Sequence, residues 1–181
     1  MFKYFINIIF ITIIFNNNTL FKFLSHNTKF IKSYPKIISF KYVNNIEGLS
    51  KSGYGEIIIG KKQYKVNLKN QIIKVSDNKL QRYNVNTNQI FIENTNHKFD
   101  SLIFNSFNKD FDTIIKNNLL NEKFELEITP SLDSTSIIEI NVEYENYNFT
   151  LYDLNFIYEN IDTTEVFLFN FPDAFIFDLR D

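Results

Sequence analysis

From Gly55 to Ile92 the chain alternates apolar and polar residues in short runs separated by turn signals. Tyr64, Val66 and Leu68 fall on one side, and Lys65, Asn67 and Lys69 on the other. A two-residue period is that of a strand with one buried face. Gly60-Lys61, Lys69-Asn70, Asp77-Asn78 and Asn86-Thr87 punctuate the runs, at the spacing of consecutive hairpins. The pattern predicts an antiparallel meander with one apolar face.

The same period returns in the second half. Phe124, Leu126 and Ile128 alternate with Glu125, Glu127 and Thr129. Ile138, Ile140, Val142 and Tyr144 alternate with Glu139, Asn141, Glu143 and Glu145. Carboxylates on one side and hydrocarbon on the other describe a sheet packed on one face. Ile37 to Val43 reads as a further strand, and Asn44 to Gly53 as a turn, with Gly53-Tyr54-Gly55 marking a bend at a strand start. Tyr147 to Leu151 and Leu154 to Tyr158 continue the strand-rich pattern, and Phe167, Phe169 and Phe171 form a last apolar stripe.

Two segments break the period. Leu20, Phe23, Leu24, Phe30 and Ile31 recur at gaps near three and four, which predicts an amphipathic helix from Thr19 to Ser33. Tyr34-Pro35 ends it, because the residue before Pro is pushed from helical geometry. Phe99 to Leu120 predicts two short helices inserted between the strand-rich halves. Before all of this, Lys3 precedes an apolar run from Tyr4 to Phe15. That run falls short of the ~20 residues that cross a bilayer. It matches a secretory signal, so residues 1–18 are set apart from a single domain over 19–181. The alternative for this run is a buried N-terminal strand.

Composition removes several functions. A net charge of −2 over 181 residues gives no electrostatic reason to bind nucleic acid. Without Cys there is no disulfide, thiol nucleophile or thiolate metal site. His26 and His97 lack ligand spacing, so no metal or cofactor is expected. The four Gly form no phosphate-binding loop, and no Ser lies in a nucleophile motif. The pairs Glu125/Glu127 and Glu139/Glu143 fall on the water-facing side of their strands, which argues against an acid–base pair. The 21 Phe and 10 Tyr accompany abundant Ile, Asn and Lys, as in AT-rich coding, so they do not by themselves indicate a cavity.

The order of these features resembles the periplasmic lipoprotein carriers, the LolA-like family. The shared features are the signal-like start, the amphipathic helix and Ser39-Phe40-Lys41-Tyr42, followed by Gly55-Glu56-Ile57-Ile58-Ile59. Ile73-Lys74-Val75-Ser76-Asp77-Asn78-Lys79, Tyr83-Asn84 and Asn88-Gln89-Ile90 come next, and Phe167-Leu168-Phe169 and Asp178-Leu179-Arg180 close the set. Asn78 stands where the family has Gly, a substitution that positive φ permits. The resemblance covers Leu20 to Arg180.

It implies a mainly β (α+β) fold: an unclosed antiparallel β-barrel covered by the N-terminal helix and the helical insertion. It implies a monomeric, non-enzymatic carrier in the periplasm of a Gram-negative cell. Such a carrier takes acylated lipoproteins from an inner-membrane release transporter and passes them to an outer-membrane acceptor. The lipid-binding residues would be Phe23, Phe30, Phe40, Tyr42, Ile57, Ile59, Tyr64, Val66, Leu68, Phe124, Leu126, Ile128, Ile140 and Val142. Lys61 would stand for the basic residue that locks the lid, with Lys62 in place of the family's Pro. The competing expectation is an envelope scaffold or interaction module of the same fold with a filled core.

Overall fold

The computed structural model describes residues 35–46, 49–95, 125–131, 137–144, 147–157 and 163–180. Ten strands form one sheet: β1 (Lys36–Ile46), β2 (Leu49–Ile59), β3 (Gln63–Leu68), β4 (Gln71–Ser76), β5 (Lys79–Asn84), β6 (Gln89–Asn94), β7 (Glu125–Pro130), β8 (Ile137–Tyr144), β9 (Tyr147–Ile157) and β10 (Phe175–Asp178). One short helix, α1 (Thr163–Val166), precedes β10. The spatial order is β10-β6-β5-β4-β3-β2-β1-β9-β8-β7. Among the described residues every pairing is antiparallel except β10 on β6, which is parallel.

This corrects the expected helix-covered antiparallel barrel. The described chain is nearly all β, the sheet is open and mixed, and α1 is only four residues long. The edge strands β10 and β7 do not meet. A parallel pair requires a long return path, and alternation within a strand carries no information about its partner's direction. The predicted helices at Thr19–Ser33 and Phe99–Leu120 lie outside the described residues, as do the signal-like segment 1–18, His26 and His97.

Local chemistry accounts for the hairpins. Asp77 and Asn78 both have positive φ, 51° and 61°, the geometry of a two-residue turn whose twist matches its strands. They join β4 to β5 with Ser76 opposite Lys79. The Asn84 carboxamide accepts a bond from the Asn86 backbone N–H, which starts the turn into β6. In β9, Asp153 has φ 53° where the register against β1 shifts, and its carboxylate reaches Lys41 Nζ at 2.6 Å.

The predicted turn at Asn44–Gly53 is instead two long strands, paired from Lys36 opposite Ile59 to Ile46 opposite Leu49. Gly53 and Gly55 lie inside β2 because rings from β1 occupy the space their side chains would need. A Cβ at Gly53 would sit 2.8 Å from the Tyr42 hydroxyl. One at Gly55 would overlap the Phe40 ring and come within 2.9 Å of Leu68 Cδ2. Gly55→Ala is therefore expected to lower stability by ~1–3 kcal/mol in chemical denaturation, the cost of overpacking. Gly53→Ala should cost less, because the half-buried Tyr42 has room to move.

Register carries the apolar pattern across the sheet. Phe156, Ile38, Ile57, Val66 and Ile73 oppose one another in turn from β9 to β4. They are 0–8% exposed. This front face also holds Phe40, Tyr64, Val75, Leu80 and Leu151.

The back face is crossed by the segment from α1 to β10. Phe167 packs on Ile37 and Ile58, with Ile157 and Val166 beside it. Lys65 Nζ donates to the Val166 and Leu168 carbonyls at 3.2 and 3.0 Å. Such carbonyls at a helix end have no partner within the helix, so a cation there is favourable. Further along, Phe171 stacks on Tyr83 at 3.7 Å. Asn88 Nδ2 then donates to the Asp173 carbonyl, and the Phe175 N–H to the Asn88 carbonyl. The strap thus runs diagonally from β1 and β2 to the sheet edge and leaves β10 parallel to β6.

Candidate functional site

Of the residues expected to bind lipid, eight have described side chains, and all eight share the front face. Ile57, Val66 and Ile140 are fully buried, Tyr64, Phe40, Ile59 and Leu68 are buried, and Tyr42 is half-buried. Pairing joins them into one surface: Ile59 opposes Tyr64, Ile57 opposes Val66, and Tyr42 opposes Leu151, which opposes Ile140. The backbone of Leu126, Ile128 and Val142 continues the same register, with Leu126 opposite Val142 and Ile128 opposite Ile140. Phe23, Phe30 and Phe124 lie outside the described residues. Lys61 is exposed in the turn between β2 and β3. Sequence reasoning left Ile73, Val75, Leu80 and Phe149 out of the site, although their alternation with polar neighbours carried the signal.

At the β3–β4 turn the face changes character. A pocket of about 270 Å³ opens there, lined by Tyr42, Asn44, Lys51, Leu68, Asn70, Gln71, Arg82, Asn84, Asn86 and Phe91. Most of it is built on strands: Asn44 opposes Lys51 on β2, and Gln71 opposes both Leu68 on β3 and Asn84 on β5. Arg82 donates to Glu93 Oε1 at 2.9 Å and lies 5.0 Å from the Phe91 ring centre. Tyr42 stacks on Phe149 at 5.9 Å, and burial pushes its phenol above the ordinary range.

Asn44 and Gln71 are 5% and 7% exposed, and the side-chain oxygen of each is buried without a hydrogen-bond partner. A buried acceptor left this way costs ~1–3 kcal/mol. The lining holds no carboxylate, imidazole or aliphatic hydroxyl. Among the described residues no three His, Cys, Asp or Glu side chains gather where a metal would bind. The arrangement is suited to holding a molecule through carboxamides and rings. Composition hid this pocket from the sequence, because its Asn residues are indistinguishable from the many others in the chain.

No family model matches the chain, and no curated protein does. Among solved structures, the fold is similar to an uncharacterized conserved protein from Thermus thermophilus. The two are 9% identical with a TM-score of 0.48, over 89% of this chain and 99% of that one. A second similar structure is PNGF-II, at 10% identity and a TM-score of 0.34, over 79% of this chain and 31% of that one.

Proposed function

We propose that the chain is a non-catalytic carrier that holds the acyl chains of lipoproteins against the front face of its sheet. What supports this reading is the single apolar surface running in register from Ile140 on β8 to Val75 on β4. Each methylene transferred from water to such a surface contributes ~0.8 kcal/mol, so a modest length of chain gives reversible holding. The signal-like start supports a periplasmic setting. The carrier's partners there would be an inner-membrane release transporter and an outer-membrane acceptor.

The second reading, a scaffold with a filled core, is favoured by the burial of this face: a guest must displace whatever covers Ile57 and Val66. A fluorescent fatty-acid probe separates the two. Saturable binding by the full chain, competed by a triacylated lipoprotein, is the result expected of a carrier. Fluorescence that rises without saturation and is indifferent to the lipoprotein would leave the scaffold.

A further inference from the structure

We propose that the pocket at the β3–β4 turn binds a neutral, hydroxyl-bearing ring, a single saccharide unit. The inference stands apart from the acyl-carrier reading, because it rests on the carboxamides of the pocket and not on the apolar face.

The carboxamide oxygens of Asn44 and Gln71 are without donors. An inorganic anion such as phosphate brings few or no protons to satisfy them. A cation would satisfy them, but it would have to sit in a pocket also lined by Lys51 and Arg82. Hydroxyl groups donate without carrying charge. They also accept, which suits the amide nitrogens of Asn70, Asn84 and Asn86 and the two cations. The last torsion of an Asn or Gln side chain is soft, so either end of each carboxamide can turn to the ligand.

The remaining lining matches the other surface of a sugar. Phe91 in the lining already packs between Arg82 and Phe177, so the ring that meets the sugar is Tyr42, which stacks on Phe149. The electron-rich face of an aromatic ring packs well on the C–H face of a pyranose. At about 270 Å³ the pocket lies just below the ~300–1,000 Å³ of most small-molecule sites, which fits one ring and not an extended chain. Strands hold Asn44, Gln71 and Arg82, so the site is positioned by the sheet itself.

The test is a side-chain amide NMR titration of the full chain with glucose, galactose, mannose and N-acetylglucosamine, and separately with inorganic phosphate and a fatty-acid probe. At least one sugar is expected to shift the Asn44 and Gln71 amide signals saturably, with a Kd of ~10 mM or tighter. Gln71→Leu should weaken that binding about tenfold. Asn86→Ala, at an exposed position that leaves the core intact, should weaken it severalfold and keeps the test valid if the first variant does not fold. Three results would overturn the proposal. They are no saturable shift with any of the four sugars, saturation by phosphate in their place, and displacement of bound sugar by the fatty-acid probe. The last would make the pocket part of the apolar site. Acyl binding is read by the probe alone, so either proposal can fail without the other.

Discussion

Phe167→Ala is expected to lower the unfolding free energy by ~3–5 kcal/mol, the range for truncating a buried aromatic side chain. Phe167 is 4% exposed and seated on Ile37 and Ile58. The hole left behind would not collapse easily. One wall is the backbone at Gly60, where a built Cβ would already stand 3.0 Å from Phe167 Cζ, so no side chain there can swing in. Ile37 and Ile58, on which Phe167 sits, are strand residues fixed by pairing on both sides. The loss should also spread along the strap. Lys65 holds the Val166 and Leu168 carbonyls on either side of the ring, and beyond them Phe171, the Asn88 bond to the Asp173 carbonyl and the β10 pairing secure the segment to the sheet. Hydrogen exchange should therefore quicken at the Phe175 and Leu179 amides, which donate to the Asn88 and Ile92 carbonyls, more than in β3 and β4. A loss under ~1 kcal/mol, the size of an ordinary surface substitution or little more, would show that Phe167 does not anchor the strap.

Stability is expected to rise with pH between about 8 and 10, driven by Lys36. Its side chain is fully buried, and desolvation pulls the ammonium from an ordinary 10.5 down to about 8. Between those values the unfolded chain holds a proton that the folded chain has released, so raising the pH favours folding. A shift of this size amounts to about 3 kcal/mol across the full window. The penalty is present in full below pH 8. Lys65, also pulled down by burial, adds to the same slope. Tyr42 acts in the opposite sense above pH 10, since the unfolded chain loses its phenolic proton first. Denaturant titrations at pH 7.5, 8.5 and 9.5 read the effect where Tyr42 is silent. Lys36→Met should remove most of the slope and stabilise the protein at neutral pH. A flat profile in the unsubstituted protein would mean that Lys36 keeps its proton when buried.

The parts of the fold that were legible in the sequence are those that neighbours along the chain decide. Tyr64, Val66 and Leu68 are buried and the residues between them half-buried, because a two-residue period leaves only that choice. Asp77-Asn78 announced its turn through the tolerance of both residues for positive φ. The outer half of the β1–β2 hairpin was not legible, since Lys51 to Gly55 shows no alternation. Its small residues become intelligible only when the rings of Phe40 and Tyr42 are placed over them. The direction of β10 was equally hidden. Phe175-Ile176-Phe177-Asp178 would read the same in either orientation, and the strap, held by Phe167 and Phe171, sets it. For the apolar half of the candidate site, period and register agree. The polar half depends on which of many Asn residues converge from β1, β5 and the turns after β3 and β5, which chain order does not reveal.

The parallel seating of β10 has a consequence for the chain during its synthesis. Asn88, at the start of β6, meets a partner 85 residues away along the chain. Each of the first six strands finds one neighbour within moments of emerging but, like that of β1, the outer rim of β6 must wait. At ~5–20 residues per second, that wait lasts roughly 4–17 s. Throughout it, a row of unanswered amides and carbonyls is open to any passing extended peptide. The nascent chain is therefore most prone to wrong association in this interval, and a ribosome stalled after β6 would hold it there.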